Sequence, residues 1–147
     1  MKWLIPPVLV AILLAMMVAI AQFLPAGSLV PAPAHWVGLP VTLAGIGLLA
    51  AGSSRFFKVG TEINTFREPK ILVTNGIFAY SRNPMYLGFL ILLAGAAILL
   101  NSPLNLISVA VFFAVANYWY IPFEEANARR VFGRAYVDYC SSVRRWI

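Results

Sequence analysis

The sequence predicts an all-α integral membrane protein with four transmembrane helices and both ends on the cytoplasmic side. Three observations predict it. Hydrophobic residues make up 61% of the chain and charged residues 11%, against roughly 45–50% and 25% in soluble domains. Four long apolar runs divide the chain, and none contains Asp, Glu, Lys or Arg. All 11 Lys and Arg residues fall before the first run, between the second and third, or after the fourth. Such residues collect in cytoplasmic segments, so one orientation satisfies every cation at once.

The first run covers residues 3–24, with Pro6 and Pro7 in its first turns. Lys2 before it and Ala32-Pro33-Ala34 after it faintly resemble a secretory signal. The apolar core exceeds the ordinary signal core of about 7–15 residues, so a retained span is expected. The second run covers residues 36–53. Trp3 and Trp36 suit the two interfacial belts. His35 sits near the outer end of this run and reads as an interfacial residue.

Residues 55–83 form a cytoplasmic loop, long for so small a protein. Its apolar residues Ile71, Leu72, Val73, Ile77 and Phe78 seek burial, and Gly60 and Asn75-Gly76 mark turns. An ordered interfacial or partly re-entrant cover is expected. The third run, residues 85–100, has Asn83 placed to cap and Pro84 at the first helical position. The fourth, residues 104–121, repeats the device with Ser102 and Pro103. The short connector between them requires a tight antiparallel hairpin. Glycines in runs two and three supply close helix contact. Asn117 is the notable polar residue inside a run and reads as an interhelical hydrogen-bonding group.

Residues 122–147 read as an amphipathic helix. Ala128, Val131, Phe132, Ala135, Tyr136, Tyr139, Cys140 and Val143 recur on one side, and arginines occupy much of the rest. A basic helix on the membrane surface explains that stripe but not Glu124-Glu125 at its start. A first-turn carboxylate gains about 0.3–1 kcal/mol from the helix dipole, so a purely structural role is open for both. Adjacent helical residues diverge by about 100°, so at most one of the two points squarely at a ligand.

Several function classes are disfavoured. Charge inside a span marks ion pathways and proton relays, and its absence argues against a pump or coupled transporter. The net charge of +6 lies beside the spans and fits anionic headgroups better than nucleic acid. One cysteine and one histidine suggest no metal site. At 147 residues, with four spans of about 20, the chain is a single membrane domain.

Two stretches combine into a resemblance. Leu72-Val73-Thr74-Asn75-Gly76-Ile77-Phe78-Ala79-Tyr80-Ser81-Arg82-Asn83-Pro84-Met85-Tyr86-Leu87-Gly88 precedes the hairpin. Glu124-Glu125, Ala128, Phe132-Gly133, Tyr136, Tyr139 and Val143-Arg144-Arg145-Trp146 follow it. Together they resemble the isoprenylcysteine carboxyl methyltransferase family and the related membrane phospholipid methyltransferases, over roughly residue 60 to the end. The isoprenylcysteine branch usually carries Arg-His-Pro-x-Tyr. Here Asn83 replaces the histidine, and asparagine hydrogen-bonds without titrating.

The resemblance implies methyl transfer from S-adenosylmethionine to a lipophilic or lipidated acceptor at the cytoplasmic face, in the inner membrane if the source is bacterial. It implies cofactor contacts from Gly76, Tyr80, Arg82, Asn83, Tyr86, Glu124, Glu125 and Tyr136. The carboxylates suit the cofactor's diol and ammonium, Arg82 suits its carboxylate, and aromatic faces suit its sulfonium. Arg130 is the candidate catalytic residue, a bidentate clamp for an acceptor carboxylate. A phospholipid amine or a thiol is an alternative acceptor. A non-catalytic protein that binds lipid or a partner is the alternative of another class.

Overall fold

The structure is a computed structural model that describes residues 5–24, 26–59 and 71–147, with backbone alone for residues 56–59. Expectations placed on Lys2, Trp3, Gly60, Arg67, Lys70 and the middle of the 55–83 loop lie outside the described residues. Every regular element among those described is helical, and no strand is present among them.

Helix α1 (Pro6–Phe23) starts on its two prolines, whose fixed φ suits a first turn. It buries Leu9, Val10, Leu13 and Met17. A 3₁₀ turn at Ala34–Val37 leads into α2 (Gly38–Val59). Helix α2 does not stop at Gly52-Ser53-Ser54 as the sequence reading expects. Ser54 returns its hydroxyl to the Ala51 carbonyl at 2.9 Å, a bond the helix interior accommodates. A second 3₁₀ turn, Gly76–Ala79, precedes α3 (Pro84–Leu99).

Helix α3 is the centre of the bundle. It packs along α2 on one side and against α1 and α4 (Asn105–Val115) on the others. The α2 side is built from glycine. Gly38 and Gly45 face Gly95 and Gly88, with each backbone pressed on the other. A Cβ on Gly45 would lie 2.5 Å from the Leu92 nitrogen and 2.7 Å from the Gly88 carbonyl oxygen. The seven-residue recurrence gives a shallow crossing of about 20°. The opposite side of α3 carries Leu93, Ala96 and Ala97, buried with Leu13, Met17 and Phe112 in the main core.

The capping expectations need correction. Asn83 occupies the cap position of α3 but makes no side-chain cap bond; its amide is committed elsewhere, as described below. Ser102 and Pro103 lie in the turn, and α4 begins at Asn105 with no side-chain cap. The hydroxyls of Ser102 and Ser108 and the amide of Asn105 are buried with no hydrogen-bond partner among the described residues. At this far end Asn101 adopts φ +51°. Its side chain accepts from Val30 N–H at 2.9 Å and donates to the Val30 carbonyl at 3.1 Å. The α1–α2 and α3–α4 connectors are thereby joined.

The largest difference concerns the last span and the tail. Helix α4 does not end at residue 121. It passes through a π-helical turn, Ala116–Tyr120, into α5 (Ile121–Phe132). The Ile121 N–H reaches the Ala116 carbonyl, one residue beyond the ordinary partner. Residues Asn105–Phe132 thus form one 28-residue helix, about 42 Å long at 1.5 Å per residue. Pro122, which lacks an N–H, follows the widened turn. The tail is also not one amphipathic helix. Gly133, at φ +53° and ψ −123°, breaks it. A short α6 (Arg134–Ser142) follows, and the chain then extends from Val143.

By length and composition, three stretches among the described residues can cross a membrane: Pro6–Phe23, Ala34–Arg55 and Asn105–Phe132. Helix α3 is apolar but has 16 residues, short of the roughly 20 a span needs.

Candidate functional site

The polar chemistry of the described residues gathers at the end of the bundle where α3 begins and α5 continues past the apolar region. Its hub is Glu125, 6% exposed on the inner face of α5. Arg145 clamps it with two parallel bonds, Nε to Oε1 at 3.1 Å and a terminal nitrogen to Oε2 at 2.7 Å. Arg82 approaches the same carboxylate at 3.4 Å from the other side and donates to the Cys140 sulfur. One buried anion thus holds two cations from segments far apart in sequence. The hydrogen bond to Glu125 also raises the Arg145 pKa further above its ordinary range.

The extended segment after α6 runs beside the entry to α3. The Arg82 N–H donates to the Arg144 carbonyl at 3.0 Å. The Asn83 side chain donates to the Arg145 carbonyl at 3.0 Å, which is why it caps nothing. Glu124 points away from Glu125, as adjacent helical residues must, and accepts a hydrogen bond from the Tyr86 hydroxyl at 2.9 Å. Tyr86 stacks on Tyr120 at 6.1 Å, and Tyr120 on Trp119 at 5.1 Å. Trp146 donates from its indole nitrogen to Asn117 at 3.1 Å and packs on Phe113 at 5.4 Å. Asn117 therefore bonds to the tail segment rather than to another apolar helix.

Tyr136 and Tyr139 close the cluster from α6, edge to face at 6.2 Å. Both are buried, and burial raises both pKa values. For Tyr136 the neighbouring Glu125 and Cys140 add to the rise. Tyr139 is pushed up to about 12, and its hydroxyl donates to the Phe78 carbonyl at 2.6 Å. The unfolded tyrosine releases its proton near pH 10, before the folded one. The Tyr139 contribution is therefore complete below pH 10 and is lost as pH rises towards 12. Alkaline titration followed by unfolding should show stability falling across that window, and Tyr139→Phe should flatten the fall; an unchanged slope in the variant refutes the assignment.

The sequence-predicted residues divide in two. Arg82, Asn83, Tyr86, Glu124, Glu125 and Tyr136 come together. Gly76, at φ +65°, packs instead against the Arg55 guanidinium. Tyr80 is 79% exposed and borders an apolar recess of about 230 Å³ with Leu48, Ile77, Ser81, Pro84, Leu87 and Ile147. Arg130 is exposed on α5; five residues past Glu125, it is turned about 140° from the hub. Sequence reasoning missed Arg145 and Cys140. Arg144 and Arg145 are adjacent and equivalent on paper, and only the path of the extended tail distinguishes them.

Comparison with known proteins identifies the family. Residues 33–135 match the phospholipid methyltransferase family. Protein-S-isoprenylcysteine O-methyltransferase B of Arabidopsis thaliana is 32% identical, covering 88% of this chain and 70% of its own. Protein-S-isoprenylcysteine O-methyltransferase A of the same plant is 33% identical with the same coverage. The Dictyostelium discoideum protein-S-isoprenylcysteine O-methyltransferase is 31% identical over 74% of this chain and 46% of its own. No solved structure matches the chain. These similarities set aside the non-catalytic alternative: the chain belongs to the phospholipid methyltransferase family, and it is a helical membrane methyltransferase.

Proposed function

We propose that the protein transfers a methyl group from S-adenosylmethionine to an anionic, lipophilic acceptor of the isoprenylcysteine carboxylate type, at the cytoplasmic interface. The observation that carries this reading is the Tyr86–Glu124 hydrogen bond. It links the Arg82–Tyr86 motif to the acidic pair across 38 residues, beside the Glu125 hub.

The residues fit a sulfonium nucleotide. Such a ligand offers hydroxyl and ammonium donors and a diffuse positive charge. The bundle end offers a half-buried Glu124 carboxylate oriented by Tyr86 and the half-buried Trp119, whose ring stacks on the buried Tyr120. When bound, the cofactor supplies an electrophilic methyl group. Glu124 accepts hydrogen bonds from its donors. Glu125, its oxygens engaged by Arg145 and Arg82, keeps both arginines in place. Tyr136 shields that ion cluster from water. The apolar recess beside Tyr80 accommodates the acceptor's hydrocarbon chain, and the exposed Arg130 clamps its carboxylate.

Asn83 cannot take a proton. A site built around it suits an acceptor that is already an anion, for which position and desolvation suffice. A protonated amine would need a base. In this reading α3 is the fourth crossing, both termini are cytoplasmic, and basic residues meet anionic headgroups.

Calorimetry with S-adenosylhomocysteine in detergent tests the site. Glu124→Gln and Tyr86→Phe should each weaken binding about tenfold or more, since a hydrogen bond to a charged group contributes about 1.5–3 kcal/mol. Equal affinity in both variants removes the assignment. Incubation of methyl-labelled cofactor with membrane extract identifies the acceptor.

A further inference from the structure

The buried stripe of the long last helix changes course. In α4 it follows Asn105, Ser108, Phe112 and Ala116. Tyr120 continues it, but further along Ile121 and Glu125 are buried while Phe123 is 40% exposed. Ala116 and Glu125 are nine residues apart, which on an uninterrupted helix is a net rotation of about 180°. They would face opposite ways, yet both are buried. The π-turn resolves this. It absorbs one extra residue, gives back about 100°, and leaves about 80° between them.

A second observation follows the same geometry. Phe113, Asn117 and Glu125 of this helix are contacted by the neighbouring pair Arg145 and Trp146, through ring packing, a hydrogen bond and an ion pair. With the π-turn counted, their directions fall within about 40° of one another; without it, Glu125 stands about 80° outside the stripe set by the other two. Two consecutive tail residues can therefore grip the helix above and below the widened turn only because the turn is there.

We propose that the π-turn Ala116–Tyr120 is the register device of the site, and that Asn117 and Trp146 are positioning residues that hold Arg145 over Glu125. This rests on the acidic pair's proposed role in cofactor binding. Tyr118 is 77% exposed and is the residue the turn can lose. Its deletion converts the turn to plain α-helix and leaves Phe113, Asn117 and Glu125 on one stripe. Insertion of one alanine between Phe123 and Glu124 adds a residue beyond the device and rotates the acidic pair by about 100°.

The test is S-adenosylhomocysteine binding by calorimetry on purified full chain, with Glu124→Gln as reference. Deletion of Tyr118 should bind within about threefold of the parent, and the insertion should weaken binding more than about tenfold. Trp146→Phe keeps the packing on Phe113 and loses only the N–H. It should weaken binding about fivefold in the parent and have little further effect in Glu125→Gln, a coupling that a general loss of stability does not produce. An insertion variant that binds like the parent, a folded deletion variant that loses binding, or fully additive effects of Trp146→Phe and Glu125→Gln overturns the proposal. The insertion leaves the apolar helix intact, so the question stays decidable if the deletion variant does not fold. If Glu124→Gln weakens binding and the insertion does not, the register claim alone fails; if Glu124→Gln binds normally, the cofactor reading itself fails.

Discussion

Glu125→Ala is expected to lower stability by about 3 kcal/mol and to weaken cofactor binding. The carboxylate is shared by Arg82 and Arg145, whose side chains are 12% and 35% exposed. Removing one partner of a buried ion pair leaves an uncompensated buried charge, typically at a cost of about 3–5 kcal/mol. The lower figure applies because Arg145 can turn to solvent. Arg82 is more enclosed, and its Nε has no hydrogen-bond partner among the described residues. For a chain of this size the expected fall in Tm is about 6–12 °C. Thermal unfolding in detergent measures it, and a variant melting within about 2 °C of the parent rules out the hub. Arg145→Ala should cost much less, because Glu125 then keeps Arg82.

Gly95→Val is expected to separate α2 from α3 and leave little folded protein. A Cβ at this position would collide with the Thr42 backbone nitrogen and lie 2.5 Å from its hydroxyl oxygen and 2.9 Å from the Gly38 carbonyl oxygen. Two of these three atoms are backbone and have no rotamer to escape into. Overpacking of well-fitted interiors costs about 1–3 kcal/mol, and a backbone obstacle puts this site at the upper end or beyond. Gly47 is the control, since a Cβ there meets nothing within 4 Å. Gly47→Ala should be neutral or slightly stabilising, by up to about 1 kcal/mol from helix propensity. Size-exclusion profiles of both variants in detergent decide the matter: a monodisperse Gly95→Val at parental yield refutes the contact.

The apolar helices were legible because their length and composition leave no other element possible in this chain. The meeting of Arg82–Tyr86 with Glu124-Glu125 was legible from the motif pair, not from periodicity. The glycines of runs two and three were visible as contact surfaces, but their pairing with each other was not, since any two apolar helices could have shared them. Pro122 misled the reading of the tail. Proline ordinarily ends a helix, and here the widened turn before it lets the helix continue. That turn has no sequence signature of its own; it becomes visible only when Ala116 and Glu125 are both found inside. Gly133 was quoted as part of a motif, and its role as a breaker needed its φ of +53°. Arg145 was hidden by Arg144, because two neighbouring arginines are equivalent in sequence and only the folded path of the tail brings one of them to Glu125.

The Asn101–Val30 pair has a mechanical meaning for turnover. The α1–α2 and α3–α4 connectors are riveted to each other there, with Asn101 in a left-handed conformation that asparagine tolerates better than most residues. Helices fastened at one extremity can splay only at the other, like the legs of a pair of tweezers. The opposite tips carry the carboxylates and guanidinium groups, and their ion pairs are what holds that end together. An opening that admits a ligand to the proposed site would begin by loosening those pairs.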